Sequence, residues 1–325
     1  MSTVPKVSLI HRPTPLHRLD RMSERLGIDL WIKRDDLTGF AFGGNKGRKL
    51  EPLMAKALST GAEVVVTCGS IQSNFIRQLG AACAVFGVKC AAAVMDVPYE
   101  FEKPAGVGLY LHGGNVTLDG WLGVDLRLSP DGPWETLFER MEELANEFEA
   151  DGRKVFRIPV GGSIPEGAYA FYEAGRELQD QAAEPFDQIV VASSSGSTQV
   201  GLSQFFRTSR TRVIGIASDP EPEIAEDFAQ LSTGLGELIG ESGLPQNEFN
   251  LHFGFVGPGY GIPSEAGNAA IRDLAQTEGI FLDPIYSGKA FAAVLELAKR
   301  GELSGRTCFW HTGGLPSLFS MQSTS

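Results

Sequence analysis

Along the chain, short runs of consecutive apolar residues alternate with longer stretches in which apolar positions recur at helical spacing, the pattern of βα units around a mostly parallel sheet. Glu63 to Cys68 (EVVVTC) predicts a buried strand, Ser73 to Phe86 a helix and Lys89 to Val94 (KCAAAV) the next strand. Val124 to Leu128 reads as a further short strand, and Trp134 to Glu149 (WETLFERMEELANEFE) is the most strongly patterned helix. These segments make one α/β unit.

A concentration of Gly, Pro and Ser at Ile158 to Gly167 (IPVGGSIPEG) marks a place where the chain can change domain. Beyond it the pattern predicts a helix over Ala168 to Gln181, a strand at Gln188 to Ala192, a helix from about Thr198 to Phe206 and a strand at Val213 to Ala217. Helices at Ser264 to Thr277 and Gly288 to Lys299 follow, with a strand at Thr307 to Trp310. Residues 218 to 252 give only weak helical signals, and residues 1 to about 45 are too few for a core of their own. The expected division is a smaller α/β domain over 50–157 and a larger one built from 1–49 and 158–325.

A length of 325 residues agrees with about two domains. The formal net charge of −12 disfavours nonspecific attraction to nucleic acid or an anionic membrane, although a local site can still take a small anion. Cys68, Cys83, Cys90 and Cys308 have unrelated spacings and sit mostly in apolar runs. They read as buried thiols of a reduced compartment, neither a disulfide frame nor a metal site. No stretch approaches the roughly 18 unbroken apolar residues of a membrane span, and the N-terminus lacks an apolar leader core, so a soluble cytoplasmic protein is expected.

Several segments could carry chemistry. In KRDDLTGFAFGGNKGRKL, Lys46 follows a glycine turn at the start of a predicted helix, where the helix dipole and burial both favour the neutral amine that Schiff-base chemistry needs. A solvated basic helix start accounts for the same residues. In GSIQSNFIR, the strand–turn–helix order lets Ser73 and Asn74 hold an anion or an aromatic oxygen, or simply cap the helix. In SSSGSTQVG, small residues around Gly196 form a nest suited to one phosphate, without the GxGxxG of a dinucleotide clamp; a purely structural loop is the alternative. GPGYGIPSE and DPIYSGK each set a tyrosine, Tyr260 and Tyr286, on a loop before a helix, able to move a proton, stack on a substrate or merely pack the loop. HTGG places Thr312 at the end of a predicted strand, and His311 has no neighbours suited to a metal.

Taken together, HRPTPLHRL, KRDD, GGNKGRKLE, GSIQSN, the Ser/Gly loop, GPGYGIP, TEGIFLDPIYSGK and HTGG resemble the fold-type-II pyridoxal-phosphate enzymes. The closest resemblance is to the group containing 1-aminocyclopropane-1-carboxylate (ACC) deaminase, D-cysteine desulfhydrase and L-cysteate sulfo-lyase. It implies an α/β chain with two open twisted-sheet domains in the tryptophan-synthase-β-like arrangement, pyridoxal 5′-phosphate as cofactor and a small amino-acid substrate. A homodimer is implied as well. Lys46 would carry the cofactor, and Ser73 would take part in proton transfer, with Gln72 also beside the substrate. Asn74 would contact the cofactor's ring oxygen, and Ser195, Gly196, Ser197, Thr198 and Gln199 would hold its phosphate. Tyr260 and Tyr286 would approach the substrate.

Two departures bear on the reaction. Where ACC deaminase resembles DPVYEGK and HLGG, this chain has Ser287 and Thr312. A carboxylate at the pyridine nitrogen keeps it protonated, whereas a hydroxyl weakens the electron sink, which suffices for a good leaving group better than for opening a cyclopropane. The expectation is therefore β-elimination of a thiol, D-cysteine to pyruvate, ammonia and hydrogen sulfide. ACC deamination, L-cysteate sulfo-lysis and elimination from another D-amino acid are alternatives, and a non-enzymatic binding protein is a remote one. The segment MDVPYEFEKPAGVGLYLHGGN also differs from both relatives, and Tyr99, Glu100 and Glu102 would make a substrate border there more acidic.

Overall fold

The structure, a computed structural model, describes residues 4–96, 98, 112–221 and 224–320. Tyr99, Glu100 and Glu102 lie outside the described residues. In chain order the elements are β1 (Leu16–Arg18), α1 (Asp20–Leu26), β2 (Asp29–Arg34), α2 (Lys46–Ser59), β3 (Val64–Ser70), α3 (Asn74–Phe86) and β4 (Lys89–Met95). There follow α4 (Gly114–Trp121), β5 (Asp125–Leu128), α5 (Trp134–Ala150), β6 (Val155–Arg157), α6 (Pro165–Gln181), β7 (Gln188–Ser193) and α7 (Ser197–Phe206). The chain closes with β8 (Arg212–Ala217), α8 (Ile224–Ile239), β9 (Asn250–His252), α9 (Glu265–Glu278), α10 (Ser287–Lys299) and β10 (Arg306–His311).

Two sheets result. The smaller has the order β5-β4-β3-β6 and is parallel throughout. The larger has the order β1-β2-β10-β7-β8-β9 and is parallel except for the antiparallel β1 at its edge, so strands from both ends of the chain share one sheet. Helices cover these sheets, so β3 is buried along its whole length and VVVTCGS runs without polar alternation. Leu50, Leu53, Phe75, Ile76 and Leu79 fill the core between α2, α3 and the smaller sheet. Leu30, Ile32, Phe291, Val294 and Phe309 fill the core beneath the larger.

The observed elements include several that the pattern does not announce. α1, β2, α4, β6 and β9 are short, and α8 is a helix of 16 residues in the weakly patterned 218–252 stretch. The parallel order also decides where chemistry can sit. β3, β7 and β10 all run toward the same cleft, and their C-terminal ends deliver GSIQSN, SSSGS and HTGG to it, as open parallel sheets do with their ligand-binding loops.

Candidate active site

The cleft opens at these strand ends and is lined by residues from both sheets' loops. Lys46, Ser73, Asn74, Ser195, Gly196, Thr198, Tyr260, Tyr286 and Thr312 all line it, although they come from six separate stretches of sequence. Lys46 is the first residue of α2. Burial pulls its ammonium from the ordinary lysine range down to about 8, against the opposing pull of Asp283. Lys49, one turn on, also faces the cleft, and its Nζ donates to Gly161 O at 3.2 Å. Burial and the neighbouring Lys46 push the Lys49 ammonium well below its usual range. RK after GGNKG reads as a solvated surface pair, which hides Lys49 in the sequence; its spacing of three from Lys46 is the signal that places both on one helix face.

Ser73 unites its two readings. It is the N-cap of α3, its Oγ accepting from Phe75 N at 3.2 Å and Ile76 N at 3.4 Å, and it also lines the cleft. With both amides on its lone pairs, the hydroxyl proton is what remains to face the cleft. Opposite the turn of α3 stands an aromatic wall. The hydroxyls of Tyr260 and Tyr286 are 2.7 Å apart, and Ser70 Oγ lies 3.4 Å from Tyr260. Burial raises both phenols, so each keeps its proton at neutral pH. Trp134, from the start of α5, packs on Tyr260 at 5.5 Å between ring centroids and adds an apolar edge from the other sheet's side.

The nest between β7 and α7 is built for an anion. Gly196 has φ +94°, and a Cβ there would meet the Phe228 ring at 2.5 Å, so only glycine lets the chain turn. A Cβ on Gly161 would meet Ser195 Oγ at 2.3 Å. Ser193 Oγ is buried without a hydrogen-bond partner among the described residues, so its hydroxyl is available to donate to an anion's oxygen. Asn45 Nδ2 donates to Thr198 Oγ1 at 3.0 Å and its amide to Thr312 O at 2.9 Å, tying the residue before Lys46 to both the nest and the HTGG turn.

Four expected site residues are placed elsewhere. Gln72 is turned from the cleft, accepting from Asn115 N at 2.9 Å and donating to Gly113 O at 3.3 Å. Ser197 is fully buried, its Oγ 3.2 Å from Ser163 Oγ. Gln199 packs on Gly215 and donates to Asn250 O at 2.9 Å. Ser287 is fully buried and its hydroxyl donates to Asp283 Oδ1 at 2.5 Å, because Asp283 gathers the amides of Ile285, Tyr286 and Ser287 at the start of α10. Thr312 therefore supplies the hydroxyl on the cleft wall, and Ser287 does not.

The donor set fits pyridoxal phosphate: a lysine with a lowered ammonium, a side-chain amide, and a glycine-lined nest at a helix N-terminus with an unpaired hydroxyl. Comparison with known proteins agrees. The sequence profile described as pyridoxal-phosphate dependent enzyme matches residues 7–313. D-cysteine desulfhydrase of Yersinia enterocolitica is 37% identical over 333 aligned positions, covering 98% of this chain and 97% of that protein. The enzyme of the same name from Klebsiella pneumoniae matches at the same identity and coverage. A solved structure described as an ACC deaminase homologue superposes with a TM-score of 0.88 at 35% identity, covering 97% of this chain and 93% of that one.

Proposed function

The chain belongs to the pyridoxal-phosphate-dependent enzymes, and from that premise we propose that it catalyses β-elimination from a small amino acid with a sulfur leaving group, D-cysteine first, giving pyruvate, ammonia and hydrogen sulfide. The observation that carries this reading is the meeting of Lys46, Ser73 and the Tyr260–Tyr286 pair in one cleft beside the phosphate nest. Near-full-length likeness to proteins named D-cysteine desulfhydrase supports the substrate class.

When bound, pyridoxal phosphate supplies the electron sink that makes a Cα proton acidic. The chain supplies the rest. Lys46, with its ammonium lowered to about 8, holds a useful fraction of neutral amine near neutral pH; it binds the cofactor and is the group we assign to take the Cα proton. Ser73, the alternative acceptor for that proton, has its lone pairs engaged by two amides and so faces the cleft as a hydrogen-bond donor. The paired tyrosines retain their protons, so Tyr260 can donate one to the departing thiolate while Tyr286 holds it in place. Ser195, Gly196 and Thr198 line the nest for the phosphate, with the neighbouring Lys49 as countercharge when protonated. Thr312 is a neutral hydroxyl on the wall assigned to the pyridine nitrogen, which suits elimination of a good leaving group.

The division into domains 50–157 and 1–49 with 158–325, a homodimeric state and a cytoplasmic setting are parts of the same reading; four buried, unpaired cysteines support the last. The test is a keto-acid, ammonia and sulfide assay on cofactor-loaded protein with D-cysteine, L-cysteine, L-cysteate and ACC. Sulfide and pyruvate from D-cysteine are expected. Turnover of ACC alone would overturn the argument from Thr312 and make this a deaminase.

A further inference from the structure

Arg77 closes the GSIQSNFIR motif, yet it does not itself line the cleft and is fully buried. Its guanidinium donates to Ala41 O at 2.9 Å, to Gly43 O at 3.0 Å, to Asn74 Oδ1 at 2.8 Å and to Asn115 Oδ1. An arginine has no acceptor, so each of these partners must present an oxygen. That requirement fixes two amides in turn. Asn115 has its oxygen toward Arg77, so its Nδ2 faces the other way, donating to Gln72 O at 2.6 Å and to Asn74 Oδ1 at 3.1 Å. Asn74 Oδ1 thus receives two donors. Its Nδ2 has no hydrogen-bond partner among the described residues, and Asn74 lines the cleft.

We propose that Arg77 is a positioning residue: with Asn115 it locks the Asn74 amide as a hydrogen-bond donor toward an ionised oxygen in the cleft, the ring oxygen of pyridoxal phosphate. The same guanidinium grips Ala41 O and Gly43 O in the turn before Lys46, so the donor and the cofactor-bearing lysine are held by one group. The inference rests on the reading of the cleft as the cofactor site. A guanidinium behind the amide polarises it and favours the ionised ring oxygen over the protonated one. Among the described residues, Asp119 on α4 opposes the charge of Arg77 and Lys46 on α2 feels it. Burial pushes the Asp119 carboxyl up to about 7 against the pull of Arg77, while burial brings Arg77 down to about 10, leaving it charged at neutral pH.

The deciding variant is Asn74→Asp, which keeps an acceptor for Arg77 and Asn115 and replaces the donor facing the cleft with an oxygen. Arg77→Lys, which keeps the charge and loses the fork, is its companion. Each is loaded with pyridoxal phosphate, its fold checked by circular dichroism, and its cofactor absorbance titrated with pH. Asn74→Asp is expected to fold as the wild type does and to shift the cofactor from its visible band toward the near-ultraviolet form. The pH midpoint of the visible band should rise by roughly one unit or more. Arg77→Lys is expected to weaken cofactor binding about tenfold and to move the band and its pH midpoint in the same direction as Asn74→Asp; an unchanged band and midpoint in Arg77→Lys overturn the positioning role. A wild-type protein that takes up the cofactor, with Asn74→Asp showing the same band and midpoint, overturns the proposal alone. A wild-type protein that develops no cofactor band overturns the reading of the site and this inference with it.

Discussion

At the scale of single residues, the chemistry turns on how burial treats Lys46. A lysine whose ammonium sits at about 8 is neutral for about a tenth of the time at pH 7, whereas an unperturbed one is neutral for well under a thousandth. The neutral form is the nucleophile. Capture of pyridoxal phosphate by the apoprotein should therefore speed up about tenfold per pH unit below 8 and level off above it. Stopped-flow absorbance between pH 6 and 9 checks this, and a flat profile would contradict it. Lys46→Ala should bind the cofactor without the visible band of the covalent linkage. At the opposite wall Thr312 and Ser287 part company. Thr312→Leu removes a hydroxyl from the cleft and should slow sulfide release about tenfold, the scale of one lost hydrogen bond. Ser287→Glu should instead lower the melting temperature, because it forces a second carboxylate against buried Asp283.

At the scale of elements, Asp283 shows how a turn carries a catalytic group. Its carboxylate accepts from three successive amides and from the Ser287 hydroxyl, and this cluster sets Tyr286 at the head of α10. Asp283→Ala should cost about 2–4 kcal/mol in denaturant unfolding, more than an ordinary cap, because it strands buried donors. A loss under about 1 kcal/mol would mean the turn holds by other contacts. The helix itself was readable from its pattern, as were α3, β4 and α5, since each has a long apolar stripe or an unbroken buried run. β2 was not, for DLWIKR looks like a charged surface strand. Lys33 in it is fully buried, its charge met by Glu177 far along the chain. α8 was faint for a different reason. Gly234 and Gly236 interrupt it, and a Cβ at either would strike Pro165 or the chain at Glu241 to Gly243. Motifs point to nine residues that line the cleft because strand-to-helix turns announce themselves locally. Ser287, Ser197, Gln199 and Gln72 carry the same local signature and face inward or sideways, which only the packing decides.

At the scale of the molecule, one buried ion network joins the cleft to the larger sheet. Arg48 on α2 pairs with Asp35, just after β2, at 2.8 Å and with Glu177 on α6 at 2.8 Å. Lys33 reaches Glu177 at 2.6 Å, and Trp310 on β10 donates to Asp35 at 2.8 Å. Burial alone would raise the Glu177 carboxyl, but Arg48 and Lys33 outweigh it and hold it down to about 2. A carboxyl lowered on folding stabilises the folded state fully above its unfolded value. That stability is lost as pH falls from about 4.5 toward 2, and a gap of this size corresponds to about 3 kcal/mol. α2 also bears Lys46, two residues before Arg48, so loosening the network frees the helix that carries the cofactor. Acid should then release pyridoxal phosphate before the chain unfolds. Glu177→Gln leaves Lys33 buried without its close carboxylate partner and Arg48 with Asp35 alone, and should cost about 3–5 kcal/mol at pH 7 while flattening the stability profile between pH 5 and 3. Parallel titrations of cofactor absorbance and far-ultraviolet circular dichroism test the link. Coincident transitions in the wild type would show that α2 is not released ahead of the fold.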